Sequence, residues 1–83
     1  MEFEATQTLD VKGLQCPMPL LKTKLALNGM QAGDRLWVQT TDPGSLRDIP
    51  AFLALSTHQL IEQAEDQGVF HFLIECQGQK TGC

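Results

Sequence analysis

The sequence has no long apolar run: nowhere does it approach the roughly 20 consecutive apolar residues that a membrane-spanning helix needs. Its first four residues, MEFE, lack the basic and then apolar segments of a secretory signal peptide. These two absences argue against a membrane-spanning or exported protein and predict a cytoplasmic location.

Basic residues are also scarce. Six lysines and arginines stand against ten aspartates and glutamates, which gives a formal net charge of −4. Nucleic-acid binders draw most of their affinity from lysine and arginine that neutralise phosphates. We therefore expect no direct contact with nucleic acid.

Cysteine occurs at three positions, Cys16, Cys76 and Cys83, without paired spacing. In a reducing compartment they are better interpreted as free thiols than as a disulfide framework. No group of residues has the spacing of a zinc site, so we expect no metal. No cofactor is expected either. Met18 and Pro19 occupy the places where a dithiol oxidoreductase would carry its second cysteine, which disfavours that class.

The composition is that of a globular protein, with 42% hydrophobic and 19% charged residues. The length of 83 residues allows one small domain over residues 1–83, with a thin core and no cleft between domains. Residues from about 78 onward are expected to form a flexible tail, and the chain is expected to act as a monomer.

Periodicity and turn residues predict the element order βαβαββ. The predicted elements are Phe3–Asp10, Pro17–Leu27, Arg35–Thr41, Asp48–Ser56, Leu60–Glu65 and Val69–Cys76. A crossover makes the first two strands parallel and a hairpin makes the last two antiparallel. The predicted fold is a two-layer α/β sandwich, a four-stranded mixed sheet with two helices on one face.

Several details of these elements are predicted as well. Met18, Leu21 and Leu25 recur at helical spacing and are expected to face the core. Asn28-Gly29 is expected to end the first helix in a left-handed cap, and Ser45 or Asp48 to cap the second. Alternation predicts which strand residues share a face: Leu36, Val38 and Thr40; Phe70, Phe72 and Ile74. The uncovered sheet face is expected to be apolar enough to suggest a partner surface, with Trp37, Ile61, Val69 and Leu73 as candidates.

Cys16 lies directly before a predicted helix, where unpaired N–H groups and the helix dipole favour a negative charge. Thiolate is the nucleophilic form of cysteine, so this position predicts a lowered pKa and a reactive thiol. Pro17 and Pro19 fix the backbone there but remove two N–H donors. The alternative is an inert cysteine that packs beneath the helix.

A resemblance to a known family rests on two stretches. Residues 9–20 read LDVKGLQCPMPL, and residues 41–52 read TDPGSLRDIPAF. They resemble the D-x-x-G-x-x-C-P-x-P signature and the D-P-x-x-x-x-D-I-P segment of the TusA/SirA family of sulfur carriers. The resemblance covers about residues 6–77.

This resemblance implies that Cys16 accepts sulfane sulfur as a persulfide and relays it to another protein. The implied donors are cysteine desulfurases and rhodanese-type enzymes. Acceptors in the family serve tRNA thiolation, sulfur oxidation or molybdenum-cofactor metabolism. The motif positions that carry over are Asp10, Gly13, Pro17, Pro19, Arg47 and Asp48.

Asp10, Gly13 and the two prolines are expected to shape the loop before the helix. Arg47 and Asp48 are expected to brace the site or contact a partner, but for Asp48 helix capping is the favoured role. Gln15 stands where arginine is frequent in the family, so one cation near the sulfur is absent.

The remaining thiols and imidazoles lie outside the motif. Cys76 is expected in the core. Cys83 is expected in the tail, where a thiol within reach of Cys16 would resolve its persulfide. His58 is expected at an exposed strand edge and His71 on the open sheet face.

Two functions remain open on the sequence. The first is a sulfur carrier or sulfurtransferase with a covalent persulfide on Cys16. The second is a regulatory or redox-sensing interaction module that transfers no sulfur.

Overall fold

The computed structural model describes residues 3–77 and has the predicted order of elements. They are β1 (Gln7–Asp10), α1 (Met18–Asn28), β2 (Arg35–Thr40), α2 (Ser45–Ala54), β3 (Gln59–Asp66) and β4 (Val69–Glu75). Most bounds lie within one residue of the prediction; β1 is shorter and α2 is displaced. The predicted tail, including Cys83, lies outside the described residues.

The four strands form one mixed sheet in the order β1-β2-β4-β3. β1 pairs parallel with β2, while β4 pairs antiparallel with β2 and with β3. Gln67 and Gly68 join β3 to β4 and both have positive φ, which is the backbone of a tight hairpin turn. The predicted mixed sheet and its final hairpin are confirmed.

The core lies between the two helices and one face of the sheet. Val38 of β2 and Phe72 of β4 are fully buried in a cluster with Leu27 of α1 and Ile49 of α2. The alternation predicted for β2 and β4 is confirmed: Leu36, Val38, Thr40, Phe70, Phe72 and Ile74 are all buried.

The predicted core face of α1 is wrong. Met18, Leu21 and Leu25 are 39%, 44% and 70% exposed, and the buried residues are instead Pro19, Thr23 and Leu27. Apolar residues occur on every side of α1, so their spacing does not select the buried side. The buried hydroxyl of Thr23 donates to the carbonyl of Pro19 at 2.8 Å, and this bond satisfies the polar group in the core.

The expected caps of both helices are wrong, and so is the expected start of α2. α2 begins at Ser45, and Pro50 lies inside it, at the cost of one intrahelical bond. The backbone N–H of Ser45 donates to Asp42, so the preceding turn runs directly into the helix. No side chain caps α2. At the end of α1, Gly29 has φ −94°, because its N–H closes a tight turn onto Ala26 without a left-handed residue.

The second face of the sheet is less open than predicted. Leu73 and His71 are buried, and Trp37 and Val69 are half-buried, while Ile61 is 39% exposed. The ring of Phe3 packs 5.3 Å from that of Trp37, so the segment before β1 covers part of this face.

Both histidines are more buried than expected. Nδ1 of His71 accepts a hydrogen bond from the indole of Trp37 at 2.9 Å, and Nδ1 of His58 accepts one from the Gln77 N–H at 3.1 Å. Burial lowers the pKa of both imidazoles. Within residues 3–77, no helix is long and apolar enough to cross a membrane.

Candidate functional site

Parallel pairing of β1 and β2 brings the two motif stretches together. Both strands end at the same edge of the sheet, so the loops that follow them are neighbours. The N–H of Gly13, which has φ +87°, donates to Oγ1 of Thr41 at 3.0 Å and ties the two loops. The loop after β1 carries Cys16, and the loop after β2 leads into α2.

Cys16 is exposed and lies just before α1. Its Sγ donates a hydrogen bond to Oδ2 of Asp48, in the first turn of α2, at 3.0 Å. The other carboxylate oxygen of Asp48 lies 3.7 Å from Nε of Arg47, whose side chain is 87% exposed. Asp48 thus connects the second motif segment to the thiol of Cys16.

The pKa of Cys16 is raised, which contradicts the expected lowering. The hydrogen bond to Asp48 is the largest cause, followed by desolvation and by the negative charges of Asp48 and Asp42; Arg47 opposes them weakly. Each raising effect favours the protonated thiol over the thiolate.

The start of α1 offers little to counter this effect. Pro17 and Pro19 have no N–H, and the N–H of Met18 donates to the carbonyl of Gln15 at 2.9 Å. Two of the donors expected at this helix start are thus missing, and the N–H of Met18 is already occupied.

The remaining motif residues lie between the end of β1 and the first turn of α1, and none of them hydrogen-bonds to Sγ of Cys16. The carboxylate of Asp10 accepts a hydrogen bond from the backbone N–H of Lys12 at 3.0 Å and forms an ion pair with the Lys12 ammonium at 3.3 Å. The pKa of Asp10 is lowered, chiefly by the backbone hydrogen bond. Pro17 follows Cys16 through a cis peptide bond. Pro19 is fully buried and anchors the first turn of α1.

Asp42 and Gly44 were not predicted as site residues. A Cβ added at Gly44 would lie 3.6 Å from Cβ of Cys16 and 3.2 Å from Oδ2 of Asp42, so the loop passes close to the cysteine. That buried oxygen of Asp42 has no hydrogen-bond partner among residues 3–77. The signal for both residues was their place in the second motif stretch.

A groove of about 410 Å³ lies between the helices and includes Asp48, the hydrogen-bond partner of Cys16. It is lined by Leu20, Lys24, Asp48, Ala51, Phe52 and Leu55. The ammonium of Lys24 lies 5.2 Å from the centre of the Phe52 ring. Together with Met18, Leu21 and Leu25, the exposed apolar residues of α1, the groove forms an apolar surface that adjoins the partner of Cys16, Asp48.

The second described thiol has a different environment. Cys76 is fully buried, and its Sγ donates to the carbonyl of Leu27 at 3.7 Å, which confirms its predicted place in the core. Across residues 3–77, no three histidine, cysteine or acidic residues are grouped as metal ligands. Cys16 is the exposed thiol of this part of the chain.

The site can be compared with known proteins. Residues 7–76 match the family model described as sulfurtransferase TusA. The chain is 48% identical over 69 residues to the sulfur carrier protein TusA of Allochromatium vinosum, covering 83% of this chain and 91% of that protein. A relative from Neisseria meningitidis is 44% identical over 70 residues, covering 84% of this chain and 95% of its own length.

A solved structure has the same fold. The crystal structure of a SirA-like protein from Desulfitobacterium hafniense superposes with a TM-score of 0.75 at 26% identity. The match covers 87% of this chain and 99% of the other. The four-stranded mixed sheet with two helices is therefore shared with that protein.

Proposed function

The chain belongs to the TusA family of sulfur carriers, and from this premise we propose that it carries sulfane sulfur as a persulfide on Cys16. The observation that supports this residue is its setting: an exposed thiol, held by the second motif segment, beside an exposed apolar surface. Buried Cys76 has no comparable access.

The transfer conserves electrons and needs no oxidant. The Cys16 thiolate attacks the terminal sulfur of a donor persulfide, the donor S–S bond breaks, and the donor leaves as a thiolate with the bonding electron pair. An acceptor thiolate then attacks the outer sulfur on Cys16 in the same way, and Cys16 is released. The chain is regenerated after each cycle, as a carrier with a covalent intermediate.

The proposed donor is a cysteine desulfurase or a rhodanese-type enzyme, and the proposed acceptor is a sulfur-relay protein. The apolar surface around Cys16 favours protein partners over a small free substrate, since large exposed apolar patches mark interaction sites. tRNA thiolation or another sulfur-trafficking pathway would use the sulfur delivered.

A loading experiment tests the proposal. The protein is incubated with a cysteine desulfurase and free cysteine, and its intact mass is measured without reducing agent. We expect a gain of one sulfur atom, assigned to Cys16 by peptide mapping, and its loss when an acceptor thiol is added. An unchanged mass with this donor and with a rhodanese-type donor would overturn the proposal and favour the interaction module.

The exposed face of α1 gives a further prediction. Leu21 is 44% exposed and follows Cys16 by little more than one helical turn. A Leu21→Glu change is expected to slow loading by the desulfurase about fivefold or more, because interface side chains that matter contribute about 1 kcal/mol or more. The rate is read from the mass spectrum over time.

Two controls separate docking from chemistry. Gln63→Glu makes the same charge change on the exposed surface of β3 and should load as the wild type does. Inorganic polysulfide, which needs no docking, should load Leu21→Glu and wild type at similar rates. If the desulfurase loads Leu21→Glu and wild type at equal rates, the exposed face of α1 is not the docking surface.

A further inference from the structure

The thiol of Cys16 faces a carboxylate and not a cation. We propose that Asp48 holds the thiol of the empty carrier in its protonated, weakly nucleophilic form, and that the sulfur donor activates it by presenting a cationic side chain to that carboxylate. This inference rests on the proposed function, because it concerns the step in which Cys16 accepts sulfur.

The geometry supports the holding role. Asp48 is fixed on the first turn of α2, its side chain is 24% exposed, and its Oδ2 lies 3.0 Å from Sγ of Cys16. Loss of the thiol proton would place a thiolate beside a carboxylate, and like charges at that distance disfavour ionisation. The same bond directs the sulfur toward α2.

The charges around the sulfur indicate what a partner must supply. Asp42 adds a second carboxylate, with its buried oxygen unpaired among the described residues. Arg47 is largely in solvent and reaches Asp48 at 3.7 Å, through the oxygen that does not bind the thiol. Lys24 lines the adjoining groove, but its ammonium lies over Phe52. The site is electronegative, so a cation complements it.

The activated transfer of sulfur to Cys16 conserves atoms, protons and electrons. An ammonium or guanidinium hydrogen-bonds to Asp48 in place of the S–H group, and Cys16 releases its proton as its sulfur attacks the donor persulfide. A new S–S bond forms on Cys16, the donor S–S bond breaks, and the departing donor thiolate takes up a proton. The products are the Cys16 persulfide and a donor thiol.

An Asp48→Asn variant tests the holding role. The amide removes the negative charge, so the pKa of Cys16 should fall and alkylation by iodoacetamide at pH 7 should become several-fold faster. At high pH, where both proteins are ionised, the variant should react somewhat more slowly, because a less basic thiolate is a weaker nucleophile. The two rate profiles should therefore cross.

Charged reagents test the preference for a cation. Methanethiosulfonates that carry a trimethylammonium or a sulfonate group are compared at Cys16. Wild type should favour the cationic reagent, and Asp48→Asn should lower the ratio of the two rates several-fold. Glu62→Gln, which removes one exposed charge on β3, should leave it unchanged. An unchanged ratio in Asp48→Asn, or coincident alkylation profiles, would overturn the inference.

If Asp48→Asn does not fold, the pH dependence of alkylation in the wild-type protein tests the holding role of Asp48. The alkylation midpoint of Cys16 should lie at higher pH in the folded chain than in urea, and a midpoint at or below the unfolded one contradicts the inference. None of these readouts measures sulfur loading. If the protein loads sulfur but these readouts contradict the inference, the proposed carrier function still stands. If the readouts agree with the inference but no sulfur is loaded, the proposed carrier function is overturned.

Discussion

A Cys16→Ser variant is expected to take up no sulfur from a desulfurase, whereas wild type gains one sulfur atom. A serine hydroxyl forms no persulfide, and it is almost un-ionised at neutral pH. Its smaller oxygen can still donate to Asp48 from the same exposed position, so the fold should be unaffected. Intact mass after loading gives the result, and matching thermal melts show that the variant is folded.

The matched control is Cys83→Ser, which removes a thiol from a position outside the described residues. We expect this variant to load and to release sulfur at the wild-type rate. Sulfur that still accumulates on Cys16→Ser and passes to an acceptor would disprove the assignment. Slower release from Cys83→Ser would instead identify the terminal thiol as a resolving group for the persulfide.

A Phe72→Ala change is expected to destabilise the fold by about 3–5 kcal/mol, the usual cost of removing a large aromatic side chain from a core. Phe72 is fully buried on β4, the strand that pairs with both β2 and β3. A chain of this size has a total stability of roughly 4–12 kcal/mol. The melting temperature should fall by at least about 12 °C, measured by circular dichroism.

Leu55→Ala is the matched control, because Leu55 is large and apolar but 91% exposed. Its effect on stability should stay within about 0.5 kcal/mol. The comparison also tests the register of β4, since a slip by one residue would turn His71 and Leu73 toward the helices in place of Phe72. A Phe72→Ala protein that melts with the wild type would contradict the described register.

Much of the fold was predictable because it depends on local patterns. Alternation identified the residues of β2 and β4 that face the core, although His71 and Leu73 on the other face of β4 are buried as well. Gly68 marked the hairpin turn between β3 and β4. α1 was different: apolar residues surround it, and its buried side was decided by contact with the sheet and α2. The start of α2 was predicted wrongly at Asp48, because Pro50 was expected to lie near a helix start. The preceding turn extends the helix by three residues, to Ser45, and Pro50 lies inside it.

The candidate site was predicted in part. Cys16 was predicted to be the reactive thiol from its place before a helix and two prolines, and the second motif stretch was expected to brace the site. The sign of its pKa shift was wrong, because the sequence showed the helix end but not the carboxylate of Asp48. Asp42 and Gly44 were missed, because their approach to the cysteine depends on how two loops pack.

The sequence by itself determined a small mixed α/β fold, a cysteine directly before a helix, and the family to which the chain belongs. Backbone preferences, alternation and motif spacing depend only on residues that are close in sequence, so they can be recognised without the tertiary structure. The tertiary structure decided what the thiol faces. Parallel pairing of β1 with β2, and a helix that begins at Ser45, bring Asp48 to 3.0 Å from Cys16 across 32 positions of sequence. That contact raises the pKa of the Cys16 thiol, and no local pattern specifies it.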